Sequence, residues 1–440
     1  MKKIQFSLCA LILFAASCQD EFLEKKPDKA LLVPTTLDDF RALLDNVNTI
    51  NINPSLQIIA GDEYEVVGSS AGLNALQRNA CFWADDVYEA TSRVSDWDTP
   101  YKQVFYANIV LDGLQDIDPK KSPSLYNAIK GTALFLRACA WYNLAQLFAA
   151  PYVPNEDNVY GLPLPLTANV NERPLRSTVQ ETYRQLMDDL VLAATLLPDQ
   201  TDFKSRPAKI AAYGLLARVY LTMQNYEQAT YYANEALKIN HTLMDFNELD
   251  LNASSPIPNK LPDVNNEVIY YSEGISYAFF RSALVRVNTE ITNLFAADDL
   301  RKSLYFSPST GRFRGYKGLA IDELYLIRAE GNCRLGRLTA AIADVNELLE
   351  HRYLKGTYDK LDELPQRELL HIVLNERKKE LVMRGLRWSD LRRLNQDTET
   401  AVILTKNQDG TAIMLNPNEN KYTFPLPQTE IGEGVPQNPR

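Results

Sequence analysis

Hydrophobic residues recur every three or four positions through much of the chain, which is the period of helices that bury one face. The clearest stretch runs from Ala211 to Ile239. It places the small residues Ala217, Ala229 and Ala236 where a tetratricopeptide hairpin needs close helix contact, and the bulky Tyr220 where it needs a plug. This pattern predicts two helices joined by a turn near residues 224–226.

Two further stretches repeat this pattern. One runs from Ile321 to Leu349; the other, more degenerate, has helices at Ile129 to Phe148 and at Thr178 to Leu197, separated by a Pro-rich insertion. In the stretch from Ile321 to Leu349, Ala329, Gly336 and Ala341 hold the positions that Ala217, Gln224 and Ala229 hold in the first stretch. We therefore predict a mostly α fold with tetratricopeptide-like hairpins near residues 129–197, 205–239 and 320–350.

Long segments without helical periodicity separate these helices, at about residues 52–95, 150–177, 240–290 and 303–318. Loops longer than about 15 residues in a compact body usually carry function. We expect these loops, with short β segments, to form a ligand face on the helical scaffold.

The charge balance argues against a nucleic-acid partner. The 440 residues include 46 Lys and Arg against 56 Asp and Glu, a net charge of −10, which is the wrong sign for binding phosphate backbones. Past the first 18 residues the cysteines are Cys81, Cys139 and Cys333, with no CxxC spacing. This set predicts neither a zinc site nor a disulfide framework, and we expect no cofactor and no metal.

The N-terminus has the layout of a secretory signal. Lys2 and Lys3 precede an apolar run from Ile4 to Phe14 that is too short to span a bilayer. The small residues that follow lead to Cys18 and resemble a bacterial lipobox, so we predict lipidation of Cys18; an ordinary signal with an incidental cysteine is the alternative. The predicted division is a signal peptide at 1–17, a lipidated tether at 18–30 and a single domain at 31–440.

Four phrases, in order along the chain, resemble the SusD/RagB family of outer-membrane nutrient-binding lipoproteins. They are Phe22-Leu23-Glu24-Lys25-Lys26-Pro27, Leu134 to Phe148 with Gly161-Leu162-Pro163-Leu164, Asn375 to Arg393, and Phe424-Pro425-Leu426-Pro427 with Gln437-Asn438-Pro439. The resemblance covers essentially the whole chain and implies a SusD-like helical fold. In the third phrase we expect Arg to carboxylate pairs to tie helices together, or else a solvated face, and Trp388 to anchor the core.

The resemblance also implies a function. A member would sit on the cell surface at the outer membrane of a Bacteroides-type bacterium, held by its lipid. There it would act as a lid over a SusC-like TonB-dependent transporter, capturing oligosaccharides or oligopeptides. It would be a binding protein and not an enzyme.

Sugar recognition needs flat aromatic faces with polar groups around them. The candidates in the loops are Asp62, Tyr64, Trp83, Asp85, Trp97, Tyr277, Phe280 and Arg281. Trp83 is the preferred platform, because it follows a non-periodic stretch and is flanked by acidic residues. A peptide ligand would instead favour the loop arginines Arg281, Arg286, Arg312 and Arg314.

Other classes of function stay open on the sequence alone. A surface glycoside hydrolase would need two carboxylates about 5 to 10 Å apart, and the chain has many carboxylates. The sequence contains no HExxH, GxSxG or P-loop motif. A tetratricopeptide scaffold that binds only proteins is a further alternative, and a calcium ion at Asp62, Asp85 and Asp86 a minor one.

Overall fold

The computed structural model describes residues 34–89, 91–432 and 434–440. The predicted signal peptide, Cys18 and the tether at 18–30 lie outside these residues. Within the described part, no helix is both long and apolar enough to cross a membrane.

Helices form most of the regular structure. The described helices are α1 (Leu37–Leu44), α2 (Val47–Ile50), α3 (Leu56–Ala60), α4 (Ala75–Cys81), α5 (Ser95–Gly113), α6 (Pro123–Phe148), α7 (Val179–Leu196), α8 (Lys209–Thr222), α9 (Tyr226–Ile239), α10 (Thr289–Thr292), α11 (Arg301–Tyr305), α12 (Ile321–Arg334), α13 (Leu338–Glu350), α14 (Gln366–Glu380), α15 (Arg387–Leu394) and α16 (Gln428–Gly432). The strands are β1 (Ile52–Asn53), β2 (Tyr64–Val66), β3 (Val268–Tyr270), β4 (Glu273–Gly274), β5 (Val285–Val287), β6 (Leu319–Ala320), β7 (Leu404–Gln408) and β8 (Thr411–Leu415). The predicted mostly α fold with short β segments is confirmed.

The long helices pack in chain order, each against the next, from α5 through α9 and on to α12, α13 and α14. The pairs α8–α9 and α12–α13 share one turn geometry. Gln224 and Gly336 hold the corresponding turn positions, with φ values of 59° and 74°. In both turns the next residue closes the loop: Asn225 N–H donates to the Tyr220 carbonyl at 2.9 Å and Arg337 N–H to the Asn332 carbonyl at 2.8 Å.

The third helix pair, α6 and α7, is joined by the long insertion. The start of α7 has a capping box, because Glu181 N–H donates to Thr178 Oγ1 at 3.1 Å and Thr178 N–H donates to the Glu181 carboxylate at 2.9 Å. Before it, the two ends of the insertion pair with each other, since Ser177 N–H donates to the Leu162 carbonyl at 3.0 Å, and Arg176 donates to the Phe148 carbonyl at the end of α6 at 3.0 Å. After the insertion the chain returns, and α7 packs against α6.

The third resembling phrase ties the C-terminal helices to the repeats. Arg393 on α15 donates two bonds to Glu330 on α12, at 2.6 and 2.7 Å, and Arg377 on α14 donates to Asp390 at 2.8 Å. Trp388 is 1 % exposed and packs on the ring of Tyr422. The predicted Arg to carboxylate ties and the core role of Trp388 are confirmed, and the solvated face is wrong.

Three of the four described strand pairs join segments distant in sequence, and the fourth, β7 with β8, is a local hairpin. The pairs are β1 with β4 in parallel, and β2 with β5, β3 with β6 and β7 with β8 in antiparallel fashion. The β2–β5 pair aligns Tyr64 with Val287 and Val66 with Val285. The β1–β4 and β2–β5 pairs bring the 52–95 and 240–290 segments together.

Candidate ligand-binding cleft

An open cavity of about 370 Å³ lies where three loops meet, and we call it the loop cleft. Its aromatic residues are Tyr64, Phe280 and Phe313; its charged residues are Lys260, Glu273, Arg281, Arg312, Arg314 and Lys317. These residues come from β2, from the segment of residues 260–281 and from the loop before β6. Residues 240–290 and 303–318 are two of the segments that the sequence singled out as long loops.

The aromatic wall is built by strand pairing and ring contacts. Tyr64 begins β2, and its ring centroid lies 5.6 Å from that of Phe280 and 5.8 Å from that of the buried Phe279. Phe280 and Arg281 lie on a short 3₁₀ turn between β4 and β5. Phe313 is held by Tyr305, with ring centroids 6.0 Å apart. Such rings offer the flat apolar faces that sugar rings need.

The loop before β6 supplies most of the positive charge. It folds back on itself, since Ser307 N–H donates to the Arg312 carbonyl at 2.8 Å and Gly311 N–H to the Ser307 carbonyl at 2.7 Å. Arg314 braces this loop by donating to the carbonyls of Ala253 at 2.9 Å and Ser303 at 2.5 Å. The Arg312 guanidinium donates to the backbone carbonyl of Arg281 at 2.7 Å, which ties two sides of the cleft together.

The floor of the cleft is polar. A narrow extension of about 40 Å³ shares Ile58, Ser272, Glu273, Gly274 and Lys317 with the main cavity. Side chains from three segments meet there: Asn143 on α6 donates to Asn53 Oδ1 at 3.0 Å, and Asn53 donates to Ser272 Oγ at 2.8 Å. Amide and hydroxyl groups of this kind suit the hydroxyls of a sugar.

A carboxyl with a raised pKa lies behind the cleft wall. Glu63 is 2 % exposed and accepts the Met383 backbone N–H at 2.6 Å, while its second oxygen, Oε2, has no partner among the described residues. Burial raises the pKa of Glu63 to about 7. The neighbouring Asp62 is instead fully engaged: Arg387 donates two bonds to it at 2.9 Å, and Lys378 lies 3.0 Å away.

The structure brings together three of the eight residues proposed from the sequence: Tyr64, Phe280 and Arg281 line the loop cleft. Tyr277 lies on the chain just before Phe280 and Arg281, but its hydroxyl donates to the buried Asp96 carboxylate and so holds that turn. Asp62 is paired with cations as described above. Neither side chain faces the loop cleft with a free polar group.

Both tryptophan candidates lie away from the loop cleft. Trp83 is 3 % exposed, and its Nε1–H donates to the Ala60 carbonyl at 2.9 Å, so its ring offers no face for stacking. Trp97 is 4 % exposed and packs on Tyr101 and Phe148, at the edge of a separate cavity of about 550 Å³. The prediction that Trp83 is the stacking platform is therefore wrong. A segment without helical periodicity can still be buried, and Trp83 lies in such a segment.

Asp85 is exposed and forms an ion pair with Lys421 at 2.9 Å, away from the loop cleft. Asp62 is instead paired with Arg387 and Lys378, and the three aspartates considered for calcium do not form one of the described acidic clusters with metal-ligand spacing. The described acidic cluster with metal-ligand spacing is Glu267, Asp322 and Glu380. Arginines occupy it, as Arg352 bonds both Glu267 and Glu380 at 2.8 Å.

Sequence reasoning missed Lys317 and Lys260 as cleft residues, and it assigned Arg312 and Arg314 only to the peptide alternative. A single lysine in a loop has no periodic signal. The available signal was that Lys260 lies in the 240–290 loop and Lys317 in the 303–318 loop. That signal indicates the region of the site and cannot select the residue.

A helical-repeat scaffold with an open, aromatic-lined cleft between long loops has the architecture of a binding protein. Two family profiles match the chain: one described as "Starch-binding associating with outer membrane" matches residues 21–221, and one described as the SusD family matches residues 321–439. The chain belongs to the SusD family, as its four phrases predicted.

Individual relatives are distant in sequence and close in fold. The SusD-like protein P2 of Formosa agariphila is 24% identical over 531 aligned positions, covering 100% of both chains. A solved SusD superfamily protein from Bacteroides thetaiotaomicron matches with a TM-score of 0.72 at 19% identity, covering 92% of this chain and 100% of that one. A SusD-like carbohydrate binding protein from Bacteroides vulgatus matches with a TM-score of 0.69 at 20% identity, covering 91% and 98%.

Proposed function

We propose that this protein is a cell-surface carbohydrate-binding protein that captures oligosaccharides in the loop cleft and passes them to a SusC-like TonB-dependent transporter. The observation that carries the proposal is the combination of Tyr64, Phe280 and Phe313 with polar side chains in one open cavity. Rings flanked by hydrogen-bonding groups match the apolar faces and hydroxyl edges of pyranose rings. The family descriptions and the carbohydrate-binding relative support the same ligand class.

The binding step is tested by calorimetric titration of the folded domain with a panel of oligosaccharides and a mixed oligopeptide pool. We expect a saccharide to bind, and Phe280→Ala to weaken that binding about fivefold or more, since a stacked ring contributes about 1 kcal/mol or more. The matched control is Tyr231→Ala, an aromatic on α9 that is 53% exposed and lies outside the cleft. Binding of peptides alone, or equal losses in both variants, would contradict the proposed site.

The proposal includes binding without catalysis. The family consists of binding proteins, and the described acidic cluster of metal-ligand spacing is occupied by arginines. Incubating the bound oligosaccharide with the protein and analysing it by chromatography tests this directly. We expect the saccharide to be recovered unchanged; shortened products would favour the glycoside hydrolase alternative.

Surface anchoring is proposed through Cys18, on the strength of the lipobox-like sequence and of the family description that names the outer membrane. Mass spectrometry of the mature N-terminus should find a lipidated Cys18, and Cys18→Ala should remove the protein from the membrane fraction.

Transporter delivery is proposed from the family resemblance. Mild-detergent purification from outer membranes should recover a TonB-dependent barrel together with the protein. Purification of the protein alone, with saccharide binding intact, would contradict the delivery step and leave the binding step standing.

A further inference from the structure

We propose that the oligosaccharide taken by the loop cleft is anionic and carries sulfate or carboxylate groups; this inference rests on the proposed function. Among the described residues that line the cleft, five are basic and one, Glu273, is acidic. The chain as a whole has a net charge of −10, so this local excess of positive charge opposes the overall balance. A cleft of one sign inside a protein of the other concentrates ligands of opposite charge.

Three of the five cations make neither a hydrogen bond nor an ion pair through their side chains within the described part of the chain. The basic side chains that make no hydrogen bond or ion pair with a described residue are those of Lys260, Arg281 and Lys317. Arg312 uses one nitrogen on the Arg281 carbonyl at 2.7 Å, and Arg314 is committed to carbonyls of the loops. The free cations therefore have donors available for a ligand.

Lys317 carries the strongest argument because it is half-buried at the floor of the cleft. Its ammonium lies 6.0 Å from the centroid of the Phe280 ring. Burial lowers the pKa of Lys317, and the charges of Glu273 and Glu63 oppose that effect without either carboxylate forming an ion pair with it in the described structure. A partly buried charge without a counter-ion is unfavourable, and an anionic group in the cleft would supply the counter-ion.

The buried arginines elsewhere in the fold show the contrast. Arg301, Arg352 and Arg393 each bond carboxylates at 3.0 Å or less. These three buried arginines thus pair with the chain's own acids, and the buried Arg392 donates to backbone carbonyls such as that of Ala145 at 2.9 Å, whereas the cleft leaves cations without such partners. That difference is what a site for an external anion requires.

The aromatic wall favours a saccharide over an acidic peptide as the source of the negative charge. The partly exposed ring of Phe280, backed by the buried ring of Tyr64 with centroids 5.6 Å apart, forms an apolar surface beside the Lys317 ammonium. A sugar ring stacked on Phe280 would carry its substituents at the ring edge, within reach of the surrounding cations. Sulfate and carboxylate groups accept charge-assisted hydrogen bonds from Arg and Lys, which are about twice as strong as neutral ones.

The test compares oligosaccharides that differ only in charge. The probes are sulfated galactan oligosaccharides with their desulfated counterparts, and oligogalacturonates with their carboxyl-reduced counterparts, each titrated calorimetrically into the folded domain. We expect one anionic member to bind and its neutral counterpart to bind at least tenfold more weakly, the loss expected for a charge-assisted bond. Which pair responds distinguishes sulfate from carboxylate.

A pair of double variants separates local from overall charge. Lys317→Met with Arg281→Gln removes two positive charges from the cleft, whereas Lys302→Met with Arg367→Gln removes two exposed charges outside it. We expect the cleft variant to weaken binding of the anionic probe at least tenfold, and by a clearly larger factor than it weakens binding of the neutral counterpart. The control variant should bind the anionic probe within threefold of the unmodified protein.

Several outcomes overturn the inference. Equal binding of charged and neutral counterparts, or equal losses in both double variants, would refute it while leaving the proposed saccharide binding intact. Binding of an oligoglutamate peptide without any saccharide, or failure of every saccharide to bind, would overturn the inference and the proposed function together.

Discussion

The bidentate contact between Arg393 and Glu330 offers a quantitative test of how the C-terminal phrase holds the helical repeats. Arg393 Nη1 and Nη2 lie 2.6 and 2.7 Å from the Glu330 carboxylate, and Arg393 Nε donates to Asp390 at 3.0 Å. Glu330 is 0 % exposed and Arg393 4 %. Arg393→Met keeps much of the side-chain volume and leaves Glu330 with Arg334, 3.1 Å away, as its remaining cation.

Two estimates give the same magnitude. Removing one partner of a buried ion pair typically costs about 3 to 5 kcal/mol. Independently, burial opposes ionisation of Glu330, but the charge and hydrogen bonds of Arg393, helped by the charges of Arg334 and Arg377, outweigh it and lower the pKa of Glu330 from 4.5 to about 2. That shift corresponds to about 3 kcal/mol of stability. We expect Arg393→Met to lower the free energy of unfolding by about 3 kcal/mol at pH 7.

Urea denaturation at pH 7 measures this loss. The matched control is Arg337→Met, whose partner Glu227 lies 2.8 Å away on the surface, with side chains 47% and 59% exposed. Because exposed pairs contribute about 1 kcal/mol or less, the control should be nearly neutral. Adding Glu330→Gln to Arg393→Met should recover part of the loss, since the buried carboxylate that has lost its bidentate partner is then replaced by a neutral amide.

The pH dependence has a defined sign. The folded pKa of Glu330 is below its unfolded value, so its contribution is present above about pH 4.5 and is lost as the pH falls towards 2. The stability gap between the unmodified protein and Arg393→Met should therefore narrow on acidification below pH 4.5. A loss below 1 kcal/mol at pH 7, or strict additivity with Glu330→Gln, would refute the reasoning.

Two further predictions concern other sites. Glu63 has a folded pKa raised to about 7, so the stability it contributes is fully present below about pH 4.5 and lost as the pH rises through 7. Glu63→Gln should flatten the decline in urea stability between pH 5 and 8, and parallel profiles would contradict the raised pKa. Gly331 packs so closely that an added Cβ would lie 2.1 Å from Thr230 Oγ1. Gly331→Ala should lower the free energy of unfolding by about 1 to 3 kcal/mol, and with it the thermal midpoint, although alanine is the better helix former. Adding Thr230→Ala should restore part of the lost stability. A single variant Gly331→Ala that is more stable than the unmodified protein would exclude the clash.

The helical scaffold could be predicted from the sequence because its determinants are local. Close helix contact needs a small residue at a fixed spacing, and Ala217, Ala229 and Ala341 are each 0 % exposed in the structure. The tight turn needs a residue that tolerates positive φ, which the aligned Gln224 and Gly336 both adopt. Repetition of the pattern made each of these signals stronger.

The site could be predicted only in part. The loops around residues 240–290 and 303–318 were identified as functional segments, and Tyr64, Phe280 and Arg281 were among the candidates. Composition could not separate these residues from Trp83, since an aromatic in a non-periodic segment has no pattern that reports its burial.

Tertiary structure decided which candidates share a cavity. Tyr64 and Phe280 are 216 residues apart in sequence, and the antiparallel pairing of β2 with β5 places their rings side by side. Lys317 lies just before β6, and the pairing of β6 with β3 places it at the loop cleft. Helical spacing is set by bonds between near neighbours and can be read along the chain. The cleft depends on contacts between loops far apart in sequence, and those contacts exist only once the scaffold has folded.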